Sequence, residues 1–543
     1  MHNIILKYAL QNAAKYNGKA NLNAVIGKVF SELKDANKGK VVEEAKKIIN
    51  EVNSLSLNEQ LKKLQEIAPE LLEEKKVEEK EKQIPDLENA VKGKVIMRVA
   101  PNPNGPLSLG RTRPSYWNYL LAKKYNGKFY LRFDDTDPKI KVPMKEAYKW
   151  IEDDIKWLGI KIKKVVRQSS RFDVYYKYAE ELIKKNHAYV CTCKNFKELV
   201  DKKKECPCRK LSPDENFKRW NLMFSKYKEG EAVLRIKTDI NHNNPAVREW
   251  PAFRIIDKGE HPFIKARVWP LLNFASPIDD YEFGITHIIR GIDLIISDER
   301  QGYIYKYLNF GKYPNTTYTG KLLFKDLKST SEIKKIIKEG KIKGWDDLSL
   351  GTIMTLRRRG FKAEAIKNFI MSMGLNRNEV HVDMGILESF NKDIIDKESN
   401  RYFAVFNPKK IKIENVPELK IKVPLHPEFE RGFRNFKTKN EFYVQDDLKK
   451  NRLYRFMHLF NFKDNKYINK ELDKNAKLIH WLPVSKDLVN VEVLMNDNSV
   501  KKGLGENDLN KIRAGTIVQF ERNFFAICEK KTKNKLFFVY NHR

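Results

Sequence analysis

Long apolar runs are missing from this 543-residue sequence. No stretch approaches the roughly 18 apolar residues that a membrane-spanning helix needs. Residues 1–7 also lack the basic segment and the long apolar core of a secretory signal. Both absences predict a cytoplasmic protein that has no membrane partner.

Cysteine is scarce, since the chain contains only five. Four of them form two Cys-x-Cys pairs separated by twelve residues, Cys191 with Cys193 and Cys206 with Cys208, and Cys528 stands alone. In a cytoplasmic chain, such short spacings favour a tetrahedral zinc site over disulfides. Structural zinc sites more often place at least two residues between paired ligands, so a reduced loop without metal is the alternative.

Acidic residues are fewer than basic ones: the chain has 71 Asp and Glu and 105 Lys and Arg, which gives a formal net charge of +34. An excess of this size favours a polyanionic partner, most commonly nucleic acid. A surface that is simply coated with lysine is the alternative. The hydrophobic fraction of 41% is ordinary for a folded protein, and the length allows about three to four domains.

A Pro- and Gly-rich turn follows the apolar run Val95–Val99, which predicts a buried strand. A helical pattern then begins near Thr112. A strand, a glycine-bearing turn and a helix start together favour an anion site, because free backbone N–H groups converge where the helix dipole is positive. An ordinary turn between two elements is the alternative.

The residues of this turn resemble the first signature of class I aminoacyl-tRNA synthetases, most closely in the archaeal type of the glutamate-specific branch. The matching stretch is Arg98-Val99-Ala100-Pro101-Asn102-Pro103-Asn104-Gly105-Pro106-Leu107-Ser108-Leu109-Gly110-Arg111. Family members typically end it with His-Ile-Gly-His, whose histidines face the ATP phosphates, whereas this chain has neither histidine. The resemblance implies that residues 100–107 and Leu109 bind ATP and that Ser108, Gly110 and Arg111 serve catalysis.

A second predicted strand, Lys128–Phe133, ends in Asp134-Asp135-Thr136-Asp137-Pro138. Acidic residues at the carboxyl end of a parallel strand lie where open α/β sheets bind ligands. From the residues alone, a helix cap with a turn is an equal alternative. The stretch is similar to the amino-acid-binding turn of the family, and this implies that Asp134 holds the α-ammonium group of the substrate.

Two further stretches resemble the family, Arg267–Ala275 and Gly284–Gly291. Relatives usually place a tyrosine at the position of Leu272, where it bonds the side chain of the substrate, and leucine cannot make that bond. The resemblance assigns the neighbouring Asn273 to the glutamate site as well.

Arg290 matches an arginine of the glutamate-specific members, whereas glutamine-specific members lack a cation there. Arg98 and Arg290 together are suited to a γ-carboxylate, because bidentate charge-assisted pairs are strong and planar. Two buried cations beside a neutral amide would stay unpaired, so the sequence favours glutamate over glutamine.

The second class I signature is present in an altered form, Leu327-Lys328-Ser329-Thr330-Ser331-Glu332. Family members have Lys-Met-Ser-Lys-Ser or a similar sequence, on a mobile loop that stabilises the charge of the transferring phosphoryl group. Here Lys328 precedes the serine, and Glu332 replaces the trailing lysine. The resemblance implies that Lys328, Ser329 and Ser331 act on the phosphates; as a bare segment, the stretch would be a loop and a helix cap.

Beyond about residue 400 the apolar periodicity changes towards two, which predicts short strands and one or two β-barrels. With the resemblance, the predicted fold is a multidomain α/β protein with a Rossmann-type catalytic domain, an inserted acceptor-binding region, an N-terminal helical module and C-terminal antiparallel β-barrels. The predicted boundaries are a helical extension at 1–72, a charged linker at 73–90, catalytic halves at 91–185 and 266–325, the insertion at 186–265, a connecting region at 326–399 and anticodon-binding barrels at 400–543.

The resemblance implies a glutamate–tRNA ligase that uses ATP and Mg²⁺ to form glutamyl-adenylate and then charges tRNA(Glu). We expect L-glutamate and tRNA(Glu) as partners, tRNA(Gln) as a possible second acceptor, and a monomer. A glutamine–tRNA ligase and a catalytically inactive tRNA-binding paralogue are the alternatives. A general RNA-binding protein would explain the charge but not the turn at Asp134 or the two matched arginines.

Overall fold

A computed structural model of the chain describes residues 1–15, 18–32, 38–71, 84–325, 328–533 and 535–543. The chain divides into two compact units, Met1–Gln83 and Ile84–Arg543. Within the described residues, no helix has both the length and the apolar content that a membrane crossing requires.

The first unit is a small helical bundle, as predicted. Its helices are α1 (His2–Lys15), α2 (Leu22–Glu32), α3 (Lys38–Ser54) and α4 (Leu57–Ile67). Ser56 caps α4 through a reciprocal pair of hydrogen bonds with Glu59. The charged stretch 73–83 of the predicted linker lies outside the described residues.

The second unit begins with alternating strands and helices. They are β1 (Ile96–Val99), α5 (Leu109–Lys124), β2 (Lys128–Phe133), α6 (Lys145–Trp157), β3 (Lys164–Arg167) and α7 (Phe172–Lys184). The three strands form a parallel sheet in the order β1-β2-β3. The predicted helix start near Thr112 is wrong, because the helix begins three residues earlier, directly after Ser108.

An antiparallel layer follows, with strands that pair in chain order. Its elements are β4 (Ala188–Cys191), α8 (Phe196–Asp201), α9 (Pro213–Ser225), β5 (Val233–Ile236), β6 (Pro251–Ile255) and β7 (Val268–Pro270). Apolar residues of these strands pack against α7 in a core separate from that of the parallel sheet.

The chain then returns to the parallel sheet through α10 (Leu272–Glu282), β8 (His287–Gly291), α11 (Ile295–Leu308) and β9 (Asn315–Thr319). Strands β8 and β9 are parallel. The backbone N–H of Thr286 donates to the Ile96 carbonyl at 2.9 Å, so β8 lies beside β1. The carboxyl ends of β1, β2 and β8 therefore face the same edge.

A mostly helical region follows in the chain. It contains β10 (Leu322–Phe324), α12 (Thr330–Lys338), α13 (Ile353–Arg358), α14 (Ala363–Met373), β11 (Val380–Val382) and α15 (Met384–Glu398). Strands β10 and β11 pair in parallel. Helices α13 and α14 contribute to the same core as β1 and β2.

The remainder of the chain is rich in strands, as the periodicity predicts. They are β12 (Asn400–Tyr402), β13 (Ala404–Phe406), β14 (Lys409–Lys412), β15 (Leu419–Pro424), β16 (Phe433–Thr438), β17 (Glu441–Val444), β18 (Leu453–Phe456), β19 (Asn461–Lys463), β20 (Lys466–Asn469), β21 (Lys477–Ile479), β22 (Leu482–Pro483), β23 (Val489–Leu494), β24 (Val500–Gly505), β25 (Ile517–Phe520), β26 (Phe524–Lys531) and β27 (Lys535–Tyr540). They surround two apolar cores.

One seven-stranded sheet has the order β12-β25-β26-β27-β23-β24-β13. Its two outermost strands are consecutive parts of the single segment 400–406. The prediction of purely antiparallel pairing is wrong, because β12 with β25 and β23 with β27 are parallel. Between the two cores, the buried Arg434 pairs with Glu506 at 3.0 Å and with Glu521 at 2.8 Å.

Candidate active site

The predicted amino-acid ligands lie together at the carboxyl edge of the parallel strands. Arg98 is on β1, Asp134 directly follows β2, and Arg290 is on β8. Adjacent parallel strands end at one edge of their sheet, which is where α/β proteins bind ligands. Sequence positions almost 200 residues apart are thereby joined in one buried cluster.

Arg98 does not stand free in this cluster. Its Nε and Nη2 atoms donate to the two carboxylate oxygens of Asp280 on α10, at 2.9 and 2.7 Å. Arg132 Nη1 donates to the same carboxylate at 2.8 Å. Burial alone would raise the pKa of Asp280, but Arg98 and Arg132 outweigh it and lower that pKa below its ordinary value. Asp280 is therefore an ionised counter-ion shared by two arginines.

Asp134 is fixed by Arg132, a residue that the sequence analysis missed. Arg132 Nε donates to Asp134 Oδ1 at 2.7 Å, and its Nη2 donates to the Ser276 hydroxyl at 2.9 Å. The next carboxylate, Asp135, is fully buried and accepts from the backbone N–H of Ser169 at 2.8 Å. Asp134 keeps 12% of its side chain exposed, so it can meet a ligand, whereas Asp135 cannot.

Arg290 is 94% buried, and one side of its guanidinium is bonded while another is not. Its Nη1 donates to Asp298 and, at 3.3 Å, to Gln301 Oε1. Gln301 in turn donates to Asn273 Oδ1 at 3.4 Å, which joins Asn273 to the cluster. The Nε atom of Arg290 is buried without a hydrogen-bond partner in the described part of the chain. Other buried arginines of the described chain also have an unpartnered Nε, so what distinguishes Arg290 is its place at the same sheet edge as Arg98 and Asp134.

Positive and negative groups balance within this cluster. Its members are four arginines and four aspartates: Arg98, Arg132, Arg171, Arg290, Asp134, Asp279, Asp280 and Asp298. An incoming ammonium group would find Asp134, and an incoming carboxylate would find the open Nε of Arg290. The arrangement is therefore suited to a ligand that carries both an ammonium and a carboxylate group. Leu272, at the start of α10, is 37% exposed and supplies no hydroxyl.

The loop between β1 and α5 is fastened to the amino-acid cluster by its backbone. The N–H of Asp134 donates to the Pro101 carbonyl at 3.1 Å, and that of Met144 donates to the Pro103 carbonyl at 2.8 Å. The Asn102 side chain donates to the Asp134 carbonyl at 2.9 Å. These bonds place the predicted nucleotide loop directly beside the predicted amino-acid ligands.

Two side-chain oxygens of the loop are orphaned. Asn102 Oδ1 and Asn104 Oδ1 are buried and have no hydrogen-bond partner among the described residues. A bound ligand with donor groups is one way to satisfy them. Leu107 and Leu109 are buried in the core. Their backbone N–H groups donate to Asp154 Oδ2 and to the Gly351 carbonyl, so both leucines fasten the loop to the protein.

The two predicted signatures touch each other. A Cβ atom built on Gly105 would lie 2.9 Å from Thr330 Cγ2 and 2.8 Å from the ring of Trp345, so the loop needs glycine there. Ser329 caps α12: it accepts from the Glu332 N–H at 3.3 Å, and Glu332 accepts from the Ser329 N–H at 2.7 Å. Glu332 therefore stabilises the start of α12, and the predicted helix cap in this segment is confirmed. Leu327 lies outside the described residues.

Arg111 lies in the first turn of α5, beside the loop. Its Nη1 donates to the Asn102 carbonyl at 3.4 Å, and the described residues place no carboxylate in ion-pair contact with it. Burial lowers the pKa of Arg111. The Ser108 hydroxyl makes no helix-capping bond, although Ser108 is the N-cap of this helix. A cation without a counter-ion, at the positive end of a helix dipole, is suited to phosphate.

Asp154 on α6 underlies the same loop and was not found from the sequence. Its Oδ2 accepts from the Leu107 N–H at 3.4 Å, and Arg357 Nη1 lies 3.9 Å from its Oδ1. Burial raises the pKa of Asp154 to about 7. The loop is therefore held by a carboxyl group that changes charge near neutral pH.

The four paired cysteines come together in the antiparallel layer, at the end of β4. The Sγ atoms of Cys191 and Cys206 are 3.8 Å apart, and those of Cys193 and Cys208 are 3.6 Å apart. All four sulfur atoms lie within 4.8 Å of one another. A tetrahedral site with zinc–sulfur bonds of about 2.3 Å requires sulfur–sulfur distances of about 3.8 Å, so the cluster has the size of a zinc site.

Comparisons with known proteins agree with this geometry. The family described as "tRNA synthetases class I (E and Q), catalytic domain" matches residues 94–397, and its anti-codon binding domain matches residues 399–481. Glutamate–tRNA ligases of Pyrococcus furiosus and Pyrococcus abyssi are 44% and 45% identical to the chain, over 99% of each protein. The glutamate–tRNA ligase of Methanocaldococcus jannaschii is 43% identical over the full length of both.

Proposed function

Because this chain belongs to the class I tRNA synthetases for glutamate and glutamine, we propose that it is a glutamate–tRNA ligase. It activates L-glutamate with ATP to give glutamyl-adenylate and pyrophosphate. The 3′-terminal adenosine of tRNA(Glu) then takes the glutamyl group. The family region covers more than half of the chain, and the relatives named glutamate–tRNA ligase span nearly all of it.

The observation that carries the choice of glutamate is the buried Arg290, which lies at the same sheet edge as Arg98 and Asp134 and whose Nε has no partner among the described residues. A γ-carboxylate satisfies this donor with a charge-assisted bond, whereas an amide offers a weaker neutral acceptor. We assign Arg290 and Arg98 to the γ-carboxylate, Asp134 to the α-ammonium group, and Asn273 to the wall of the same pocket. Asp280 already occupies two donors of Arg98, so Arg290 makes the larger contribution.

We assign residues 100–107 and Leu109 to ATP. The orphaned oxygens of Asn102 and Asn104 support this assignment, as does the unpaired guanidinium of Arg111. Ser108, Gly110 and Arg111 form the helix start that faces the phosphates, and Mg²⁺ accompanies the ATP. Catalysis at such a site is mainly positioning and charge stabilisation, which backbone donors and cations supply.

The second signature completes the nucleotide site in this proposal. Lys328, Ser329 and Ser331 close over the phosphates from the start of α12. The contact of Thr330 with Gly105 supports this role, because it places the two signatures against each other. Lys328 is exposed and can reach a ligand. The hydroxyl of Ser329 is engaged in the helix cap, so Lys328 would contribute the charge.

The finer architecture belongs to the same proposal. The parallel order β1-β2-β3, with β8 beside β1, supports a Rossmann-type catalytic domain. The antiparallel layer between its halves is proposed as the acceptor-binding insertion. Segment 400–406, which pairs at both edges of the seven-stranded sheet, supports a β-barrel in the anticodon-binding part. The domain boundaries given from the sequence stay predictions, as do the monomer and the cytoplasmic location.

We propose structural zinc at the four paired cysteines, because their sulfur spacing fits a tetrahedral ion. Purified protein should contain about one zinc per chain by elemental analysis. Cys206→Ser should lose most of that metal, whereas Cys528→Ser, at the buried cysteine of the C-terminal region, should retain it. Native protein without zinc, purified in the absence of chelators, would refute the site.

The function is tested by aminoacylation of tRNA(Glu) and tRNA(Gln) with labelled glutamate and labelled glutamine. We expect glutamate on tRNA(Glu), and glutamate on tRNA(Gln) as well if the enzyme is non-discriminating. Transfer of glutamine would instead establish a glutamine–tRNA ligase. Transfer of neither amino acid, with tRNA binding intact, would identify a catalytically inactive paralogue.

A further inference from the structure

We propose that Asp298 is the positioning residue of the glutamate site, and that it orients Arg290 so that the open Nε edge faces the substrate side chain. This inference rests on the proposed function. In this proposal Asp298 does not contact the substrate, because the guanidinium of Arg290 lies between the Asp298 carboxylate and the γ-carboxylate of the substrate. Its effect on specificity passes through Arg290.

The helix α11 supplies the clamp on Arg290. Asp298 and Gln301 lie three residues apart on it, so their side chains share one face of the helix. Nη1 of Arg290 donates to an oxygen of each. A guanidinium is planar and rigid, so fixing Nη1 at two acceptors also fixes the direction of Nε. Without Asp298 and Gln301, no hydrogen bond from the described residues holds the guanidinium.

Two tyrosines fix the clamp itself. Tyr318 is the cross-strand neighbour of Arg290 in the pairing of β8 with β9, and its hydroxyl donates to Asp298 Oδ2. The Tyr313 hydroxyl lies 3.0 Å from Asp298 Oδ1 and 2.6 Å from Gln301 Oε1. Both oxygens of Asp298 therefore have hydroxyl partners, and the carboxylate has one settled orientation against Arg290.

This network leaves the two ends of the Arg290 guanidinium in different states, which suits selection of the substrate side chain by its charge. One end of the guanidinium is saturated by groups of the protein, while the buried Nε has no partner in the residues that the structure describes. A buried N–H without an acceptor has a desolvation cost in free energy, and an anionic acceptor removes that cost. A site built around a specific polar contact rejects substrates that cannot make it well.

The test is aminoacylation of tRNA(Glu) by full-length Asp298→Asn. The amide keeps the shape of the carboxylate, but it turns N–H groups towards Arg290 or Tyr318, which are themselves donors. We expect the KM for glutamate to rise about tenfold, while kcat and the KM values for ATP and tRNA stay within about twofold. Tyr318→Phe keeps every charge and removes one anchor of Asp298, so it should raise the KM for glutamate about threefold.

Tyr178→Phe is the matched control, because the Tyr178 hydroxyl also donates to a carboxylate, that of Glu282, outside the cluster. It should leave all kinetic constants unchanged. An unchanged KM for glutamate in both test variants, or an equal rise of all three KM values, would overturn the inference while wild-type charging upholds the proposed function. Failure of the wild-type protein to charge glutamate would overturn the function itself, so the two failures are distinguishable.

Discussion

Replacement of Arg290 by alanine is expected to lower kcat/KM for glutamate about a thousandfold. The variant loses the open Nε donor and leaves Asp298 buried without its cation. Truncation of one partner of a buried, hydrogen-bonded charge pair across a binding interface costs about 2–5 kcal/mol, which corresponds to about 30- to 5,000-fold. The loss should fall mainly on the KM for glutamate, measured by aminoacylation of tRNA(Glu) over a range of glutamate concentrations.

Arg434→Ala is the matched control for this prediction. Arg434 is buried to the same degree as Arg290 and also pairs with acidic side chains, but it lies in the strand-rich C-terminal region. Its removal should lower the unfolding temperature without altering the KM for glutamate. If Arg290→Ala lowers stability alone and leaves that KM unchanged, Arg290 is a structural cation and does not read the substrate.

Replacement of Arg111 by alanine is expected to lower kcat about a hundredfold and to leave the Kd for tRNA within about twofold. A preorganised donor aimed at developing charge is worth about 2.7–4 kcal/mol, and Arg111 is the cation beside the loop with no carboxylate partner in the described chain. Single-turnover charging measures the rate, and filter binding measures the affinity for tRNA.

Lys123 provides the comparison for Arg111, since it is an exposed cation in the last turn of the same helix. Lys123→Ala removes the same charge from the chain but far from the loop, so its rate should match the wild type. Equal losses of rate and tRNA affinity in Arg111→Ala would mean that Arg111 binds the tRNA rather than the phosphates.

Much of this fold could be predicted from local patterns in the sequence. Strand β2 has the predicted bounds, and α1 to α4 form the predicted helical module. These features depend on neighbours in the chain, so their causes are all present in the sequence window. The start of α5 was misplaced because Gly110 is a poor helix residue, and the tertiary contact of Leu109 with the core outweighs that preference.

The counter-ions of the site could not be found in the same way. Arg132 was a visible signal, since a cation inside an apolar strand must meet an acid, but its partner Asp280 comes 148 residues later. Asp298 and Tyr318 acquire their roles only through the pairing of β8 with β9. The parallel pairs of the C-terminal sheet escaped prediction for this reason too, because register between distant strands has no local signature.

Segment 400–406 has a consequence for how the protein is made. It leaves the ribosome before any of its partners in the seven-stranded sheet, because Tyr402 pairs with Phe520 and Val405 with Leu504. Contacts of such high sequence separation form late and slowly. Until synthesis passes Phe520, the segment has unpaired edges that invite association with other chains. Nascent chains are therefore expected to need chaperone protection over this interval, and the anticodon-binding part becomes competent only near the end of translation.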